Sequence, residues 1–244
     1  SGLSIRWRSP GASVLSARTL PDGRGHHRVT WNLLHPGPDL VPDAVMSLSY
    51  TGGLPAVPGE YRVRLSTGEW SETRSFTLRK DPRLDDVSRA DLEAQFDLMV
   101  RTRDLLTRTH DAIARIRDVR DQLETLGGRL SGAGHAELAA RADSLVDRLT
   151  RVERTLIQTQ NESPQDPINY PPRIDNQIAY LYSHLAGAYG RPTEGSRTRF
   201  RDLREELAPT MHRIDTLLGD AVPALNRALE EAGVRPVMVP DGGR

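Results

Sequence analysis

The side chains best suited to move a proton or hold a metal near neutral pH are the seven histidines of this chain. His26 and His27 are adjacent, so in an extended strand they point to opposite faces and cannot readily share one ion. His110 keeps helical register with Leu106 and Ile113, which reads as a core or half-buried histidine rather than a ligand. His135, His184 and His212 stand alone, without the i, i+4 partner of a helical zinc site. Cysteine is absent, which removes thiolate nucleophiles, disulfides and cysteine metal sites together.

Carboxylates are frequent but interleaved with arginine, as in Arg101-Thr102-Arg103-Asp104 and Arg115-Ile116-Arg117-Asp118-Val119-Arg120-Asp121. Such a run can form a phosphate- or lipid-binding ridge. The alternation of sign favours a solvated helix face laced with i, i+3 and i, i+4 ion pairs, each worth about 0.3 kcal/mol. A glycosidase needs two carboxylates facing each other across a sugar, and no such pair can be nominated. The P-loop, dinucleotide fingerprint, nucleophile elbow and zincin motifs are all missing, and Gly52-Gly53 and Gly127-Gly128 read as turns. The expectation is no catalytic residue, no metal, no cofactor and no enzyme activity.

Acidic and basic residues balance at 33 each in 244 residues, which gives no electrostatic reason to bind nucleic acid or an anionic bilayer. Lys80 is the only lysine, an arginine bias expected of a GC-rich bacterial genome. No run approaches the ~20 apolar residues of a membrane span. Ser1-Gly2-Leu3 leads straight into strand-like sequence, with neither signal peptide nor initiator Met, so the chain reads as a mature product or the C-terminal piece of something longer.

The elements that must position these residues change character at Asp81. Before it, short Val, Ile, Trp, Tyr and Thr runs between Gly and Pro predict strands at Leu3–Arg8, Ser13–Thr19, His27–Leu33, Val45–Tyr50, Glu60–Ser66 and Thr73–Arg79. Tyr61, Val63 and Leu65 alternate with Arg62 and Arg64, a period of two that puts arginine in solvent. Pro21-Asp22-Gly23 and Pro58-Gly59 supply turns. Trp31 is expected in the core. The connection from Leu34 to Pro58 is long and rich in proline, the mark of a functional or docked segment.

After Asp81 the period becomes helical. Ser88 with Asp91 forms a capping-box-like start, and a helix should run to Leu126, stopped by Gly127-Gly128. Its stripe is Leu92, Phe96 and Met99, then Leu105, Ala112, Ile116, Val119, Leu123 and Leu126. A second helix over 135–158 carries Leu138, Ala142, Leu145, Leu149, Val152 and Leu156. A third uses Ile174, Ile178, Leu181 and Leu185. A fourth, from Thr193, uses Phe200, Leu203, Leu207, Met211, Ile214 and Leu218, with a kink expected at Pro209. Pro223 then opens a short last helix capped by Asp220, and a packed or frayed tail follows Gly233.

Certain residues also resemble a known group. Val29-Thr30-Trp31-Asn32-Leu33, Val57 through Leu65, Phe76-Thr77-Leu78, Asp81-Pro82-Arg83, Leu92 through Phe96, Ile116-Arg117-Asp118, Leu123 and Asp166 through Ile174 are similar to the C-terminal region of exported bacterial sialidase-like or sortilin-like propeller proteins, many of them classed as glycosyl hydrolases. The β part looks like the Ig-like domain of flagellar hook-capping proteins. The chain has neither blade repeats nor Asp-boxes, so the resemblance does not bring the enzymatic activity with it. The chain is also similar to an extra periplasmic subunit of a photosynthetic reaction-centre complex.

The fold expected is therefore α+β in two domains: an Ig-like antiparallel β-sandwich over 1–80, and an antiparallel four-helix bundle over 81–244 with a Pro-rich corner at 161–173. The function expected is a periplasmic or extracellular interaction module that docks onto other protein subunits of a larger exported or membrane-associated assembly, such as a photosynthetic complex. The alternative is a C-terminal accessory domain, carbohydrate-binding, of a hydrolase-like propeller protein. Candidate contact residues are Pro36, Pro38 and Pro42 in the long connection. Tyr170, Pro171, Pro172 and Arg173 at the corner join them, as do Tyr180 and Tyr182 beyond it.

Overall fold

The computed structural model describes residues 3–8, 14–20, 25–163 and 165–241; for 3–8 and 14–20 it gives the backbone alone. The fold is α+β. Strands β1 (Leu3–Arg8), β2 (Val14–Leu20), β3 (Leu34–His35), β4 (Leu54–Pro55), β5 (Gly59–Thr67) and β6 (Trp70–Leu78) precede helices α1 (Arg89–Gly132), α2 (Ala136–Leu156), α3 (Ile174–Ala186), α4 (Glu194–Thr216) and α5 (Val222–Glu231). Contacts group the chain into two compact units, which do not divide at Asp81. The first holds residues 1–38, 51–101 and 184–194; the second holds 39–50, 102–183 and 195–244.

In the first unit β2, β1, β5 and β6 form one antiparallel sheet in that order, and β3 pairs with β4 over two residues. The expected sandwich is not formed by the described residues. Two of its strands, at 27–33 and 45–50, are not formed; Leu48, inside the second, takes a positive φ that interrupts an extended run, and Leu33 does so at the end of the first. The alternation in β5 holds, with Tyr61 buried and Arg62 and Arg64 exposed. Trp31 is half-buried rather than a core residue. Its ring lies 5.2 Å from that of Tyr61 and 6.2 Å from that of Phe76, and its indole N–H donates to the Leu34 carbonyl. The Pro21-Asp22-Gly23 turn lies outside the described residues.

The start of α1 is the reciprocal cap expected from Ser88 and Asp91. The Asp91 N–H donates to Ser88 Oγ at 3.1 Å, and the Asp91 carboxylate accepts from the Ser88 N–H at 3.1 Å. The helix does not stop at Gly127-Gly128 but continues to Gly132. The stop is Gly134, at φ 84°, where the His135 N–H donates to Leu130 O and the Gly134 N–H to Ser131 O, the two bonds of a Schellman ending.

In the second unit the helices pack together on the stripes expected of them. Ile116, Val119 and Leu123 of α1, Ala142 and Leu149 of α2, Ile178 of α3 and Leu203 and Ile214 of α4 are fully buried. Pairing of Arg117 and Arg120 with Glu153, and approach of Gly127 to Asp143, run in opposite senses along α1 and α2, so the two helices are antiparallel. Helix α4 continues through Pro209. The irregularity comes later, as a π turn over 217–221 in which the Val222 N–H reaches back to Leu217 O. That widened turn makes room for Pro223, which has no N–H to offer and whose ring would crowd the preceding carbonyl. Asp220 makes no capping bond: the residue before α5 is Ala221, itself helical.

Candidate functional site

The strongest departure from regular structure in the second unit is the segment 39–50, part of the Pro-rich connection. It crosses the helices as a strap fastened by side chains. The Asp39 N–H donates to Thr107 Oγ1 at 3.1 Å and the Val41 N–H to His110 Nδ1 at 3.2 Å. Asn176, 3% exposed, accepts from the Ser47 N–H at 2.9 Å and donates to Ser47 O at 3.1 Å and Ser49 Oγ at 3.0 Å. The Tyr50 N–H donates to Ser183 Oγ, and the Tyr50 ring stacks on Tyr182 at 6.0 Å and 7°. A carboxamide offers an acceptor oxygen and two N–H donors, so Asn176 satisfies both backbone atoms of Ser47 and still reaches Ser49.

Between these anchors Leu48 stands 89% exposed at φ 48°. A leucine in the left-handed region costs about 1 kcal/mol, and its isobutyl group gains no burial in return. Two other apolar side chains are displayed in the same way. Met238 is 76% exposed while its N–H and carbonyl are both held by Gln122, next to Val237, clasped likewise by Asn226. Ile168 is 88% exposed in a short turn at the corner, where the Asp166 carboxylate accepts the N–H groups of Glu162 and Ser163 and the Ser163 hydroxyl. Those backbone donors, then the Ser163 hydroxyl, hold the Asp166 carboxyl below its usual range.

His110 is 1% exposed and Asp175 is 2% exposed. Because His110 Nδ1 accepts from Val41, its proton sits on Nε2, which has no hydrogen-bond partner among the described residues and lies 3.9 Å from Asp175 Oδ2. Burial first, and the Arg117 charge second, push the His110 imidazole down to about 4. Burial pushes the Asp175 carboxyl up to about 7, against the opposing hydrogen bond from the Asn176 N–H. The pair is shut from solvent, so its geometry serves the strap rather than a substrate. Among the described residues no three His, Cys, Asp or Glu side chains are placed to hold a metal ion.

Of the residues named from sequence, Pro42 lies exposed on the strap, with Pro36 exposed and Pro38 half-buried in the first unit. Pro171 and Arg173 are exposed; Tyr170, Pro172 and Tyr180 are half-buried. Tyr182 is fully buried against Tyr50, so its ring serves the interior of this chain. Leu48, Ile168, Met238 and the amides that fix their segments were not singled out by sequence. The one signal was an amide, Asn176, beside the apolar repeat of α3.

Compared with protein-family models, curated proteins and solved structures, the chain matches none. No helix of the described residues is long and apolar enough to cross a membrane.

Proposed function

We propose that this chain is a non-catalytic interaction module, periplasmic or extracellular, that docks onto other protein subunits of a larger exported or membrane-associated assembly, a photosynthetic complex among the candidates. One observation carries the reading: Leu48, an exposed leucine in a strained backbone conformation, pinned on both sides by hydrogen bonds. Strain held by surrounding structure marks a functional position, and an apolar side chain presented on a rigid backbone loses little entropy on binding. The resemblance to exported proteins supports the location.

The test is native co-purification with two variants. Leu48→Gly relieves the left-handed strain and should leave the chain as stable as wild type or about 1 kcal/mol more so, yet retain less partner; Leu48→Asp should lose the partner outright. A wild-type chain that purifies alone from native lysate, or a Leu48→Gly chain that keeps its partner in full, would sink the reading. Trp70, half exposed on β6 at the sheet edge, favours a second reading as a carbohydrate-binding accessory domain of a hydrolase-like propeller protein. Unchanged Trp fluorescence across a glycan panel would remove it.

A further inference from the structure

The helix face that sequence reads as solvated is in part a lined cleft. Arg117 and Arg120 of α1 meet Arg154 of α2 around an opening of about 450 Å³, completed by Thr150, Gln158 and residues 159 and 161. At its floor Glu153, 2% exposed, accepts from Arg117 Nε at 2.6 Å and from Arg120 Nη1. Both of its oxygens are thereby engaged, and the guanidiniums are fixed in orientation. Arg117 keeps both Nη groups and Arg120 keeps Nη2 without a hydrogen-bond partner among the described residues, and Arg154 has no partner there at all.

Glu153 takes Arg117 and Arg120, and Glu124 also lies 3.7 Å from Arg120 Nε, so Arg154 is the cleft's guanidinium without a carboxylate partner among the described residues. The arrangement places guanidinium groups around an open space from two helices, with Arg154 and the Arg117 Nη groups not taken up by a carboxylate. The lining adds the hydroxyls of Thr150 and Thr159. It also adds the Asn161 amide, whose buried oxygen position has no partner and would become a donor if the amide is turned. Donors converging from separate elements suit a tetrahedral oxyanion better than a planar one, and Arg forks are the usual partners of phosphate.

We infer that this cleft binds a phosphate group, with Arg117 and Arg154 as its principal donors and Glu153 as the positioning residue that aims Arg117 and Arg120.

The side-chain Nε–H signals of Arg117 and Arg120 in proton–nitrogen correlation spectra report binding directly. Inorganic phosphate, titrated at constant ionic strength, should shift both saturably, and acetate should shift them less. Arg154→Gln lies on an exposed position and should bind phosphate about tenfold more weakly. Arg204→Gln, an exposed arginine of α4, should match wild type. No saturable shift, equal response to acetate, or an Arg154→Gln titration that overlays wild type would each overturn the assignment. None of these outcomes depends on a protein partner, so this test is separate from that of the docking reading.

Discussion

At the scale of single residues, the His110–Asp175 pair carries a sharp pH consequence. The folded chain resists protonating His110 until about pH 4 and keeps a proton on Asp175 up to about pH 7. In the unfolded chain the order is reversed, with His110 protonated below 6.5 and Asp175 ionised above 3.8. Between about pH 4 and pH 6.5 each state therefore holds one proton, on a different residue, and the pair adds almost no slope to stability. Single substitutions expose the two halves. In Asp175→Asn the unfolded chain alone binds a proton, so stability should rise with pH over this window by up to about 1.4 kcal/mol per pH unit. In His110→Asn the folded chain alone holds one, so stability should fall as pH rises from 3.8 through about 7. Denaturant titrations across pH give the slopes, and two variants with flat profiles would show that the pair does not titrate in this way.

At the scale of elements, the recurrent device is an irregular segment fixed to helices by amide side chains: Asn176 on Ser47, Asn226 on Val237 and Gln122 on Met238. Each satisfies the backbone N–H and carbonyl of a residue outside regular structure. Asn176→Ala should cost about 2–3 kcal/mol, since it strands two backbone groups of a buried serine, and amide exchange should show the strap loosened. In wild type the Val41 and Ser47 amides should exchange with the core helices of the second unit, because that is where their acceptors lie. Fast exchange of both would mean that the strap is not held as described. Helix α4 offers an opposite change. Pro209 is exposed and removes a helical hydrogen bond without packing in return, so Pro209→Ala should raise the unfolding free energy by about 1–3 kcal/mol, read from chemical denaturation.

At the scale of the whole molecule, the order of strands before helices and the helical stripes could be read from sequence, because periods of two and about 3.6 are local consequences of backbone geometry. Of the apolar positions expected along α2, Ala142, Leu145, Leu149, Val152 and Leu156 are buried and Leu138 is half-buried. The Ser88–Asp91 cap was legible for the same reason: its partners are three residues apart. Among the contact residues named, the prolines and tyrosines of the connection and corner were found by composition, which marks irregular backbone but not what it fastens to. Tertiary structure decided what depends on residues far apart in the chain. Leu48 leaves the extended region inside one expected strand, in a segment held by contacts such as Asn176 with Ser47, 129 residues away. Arg117 and Arg120 look like one solvated face until Glu153 of the next helix collects them, and only that long-range pairing fixes them beside Arg154 around one cleft. Sequence by itself determined the periods, the Ser88–Asp91 cap and the absence of cysteine chemistry. Which polar groups are buried, and what they hold in place, came from packing, because burial is a property of neighbours that the chain brings together only when folded.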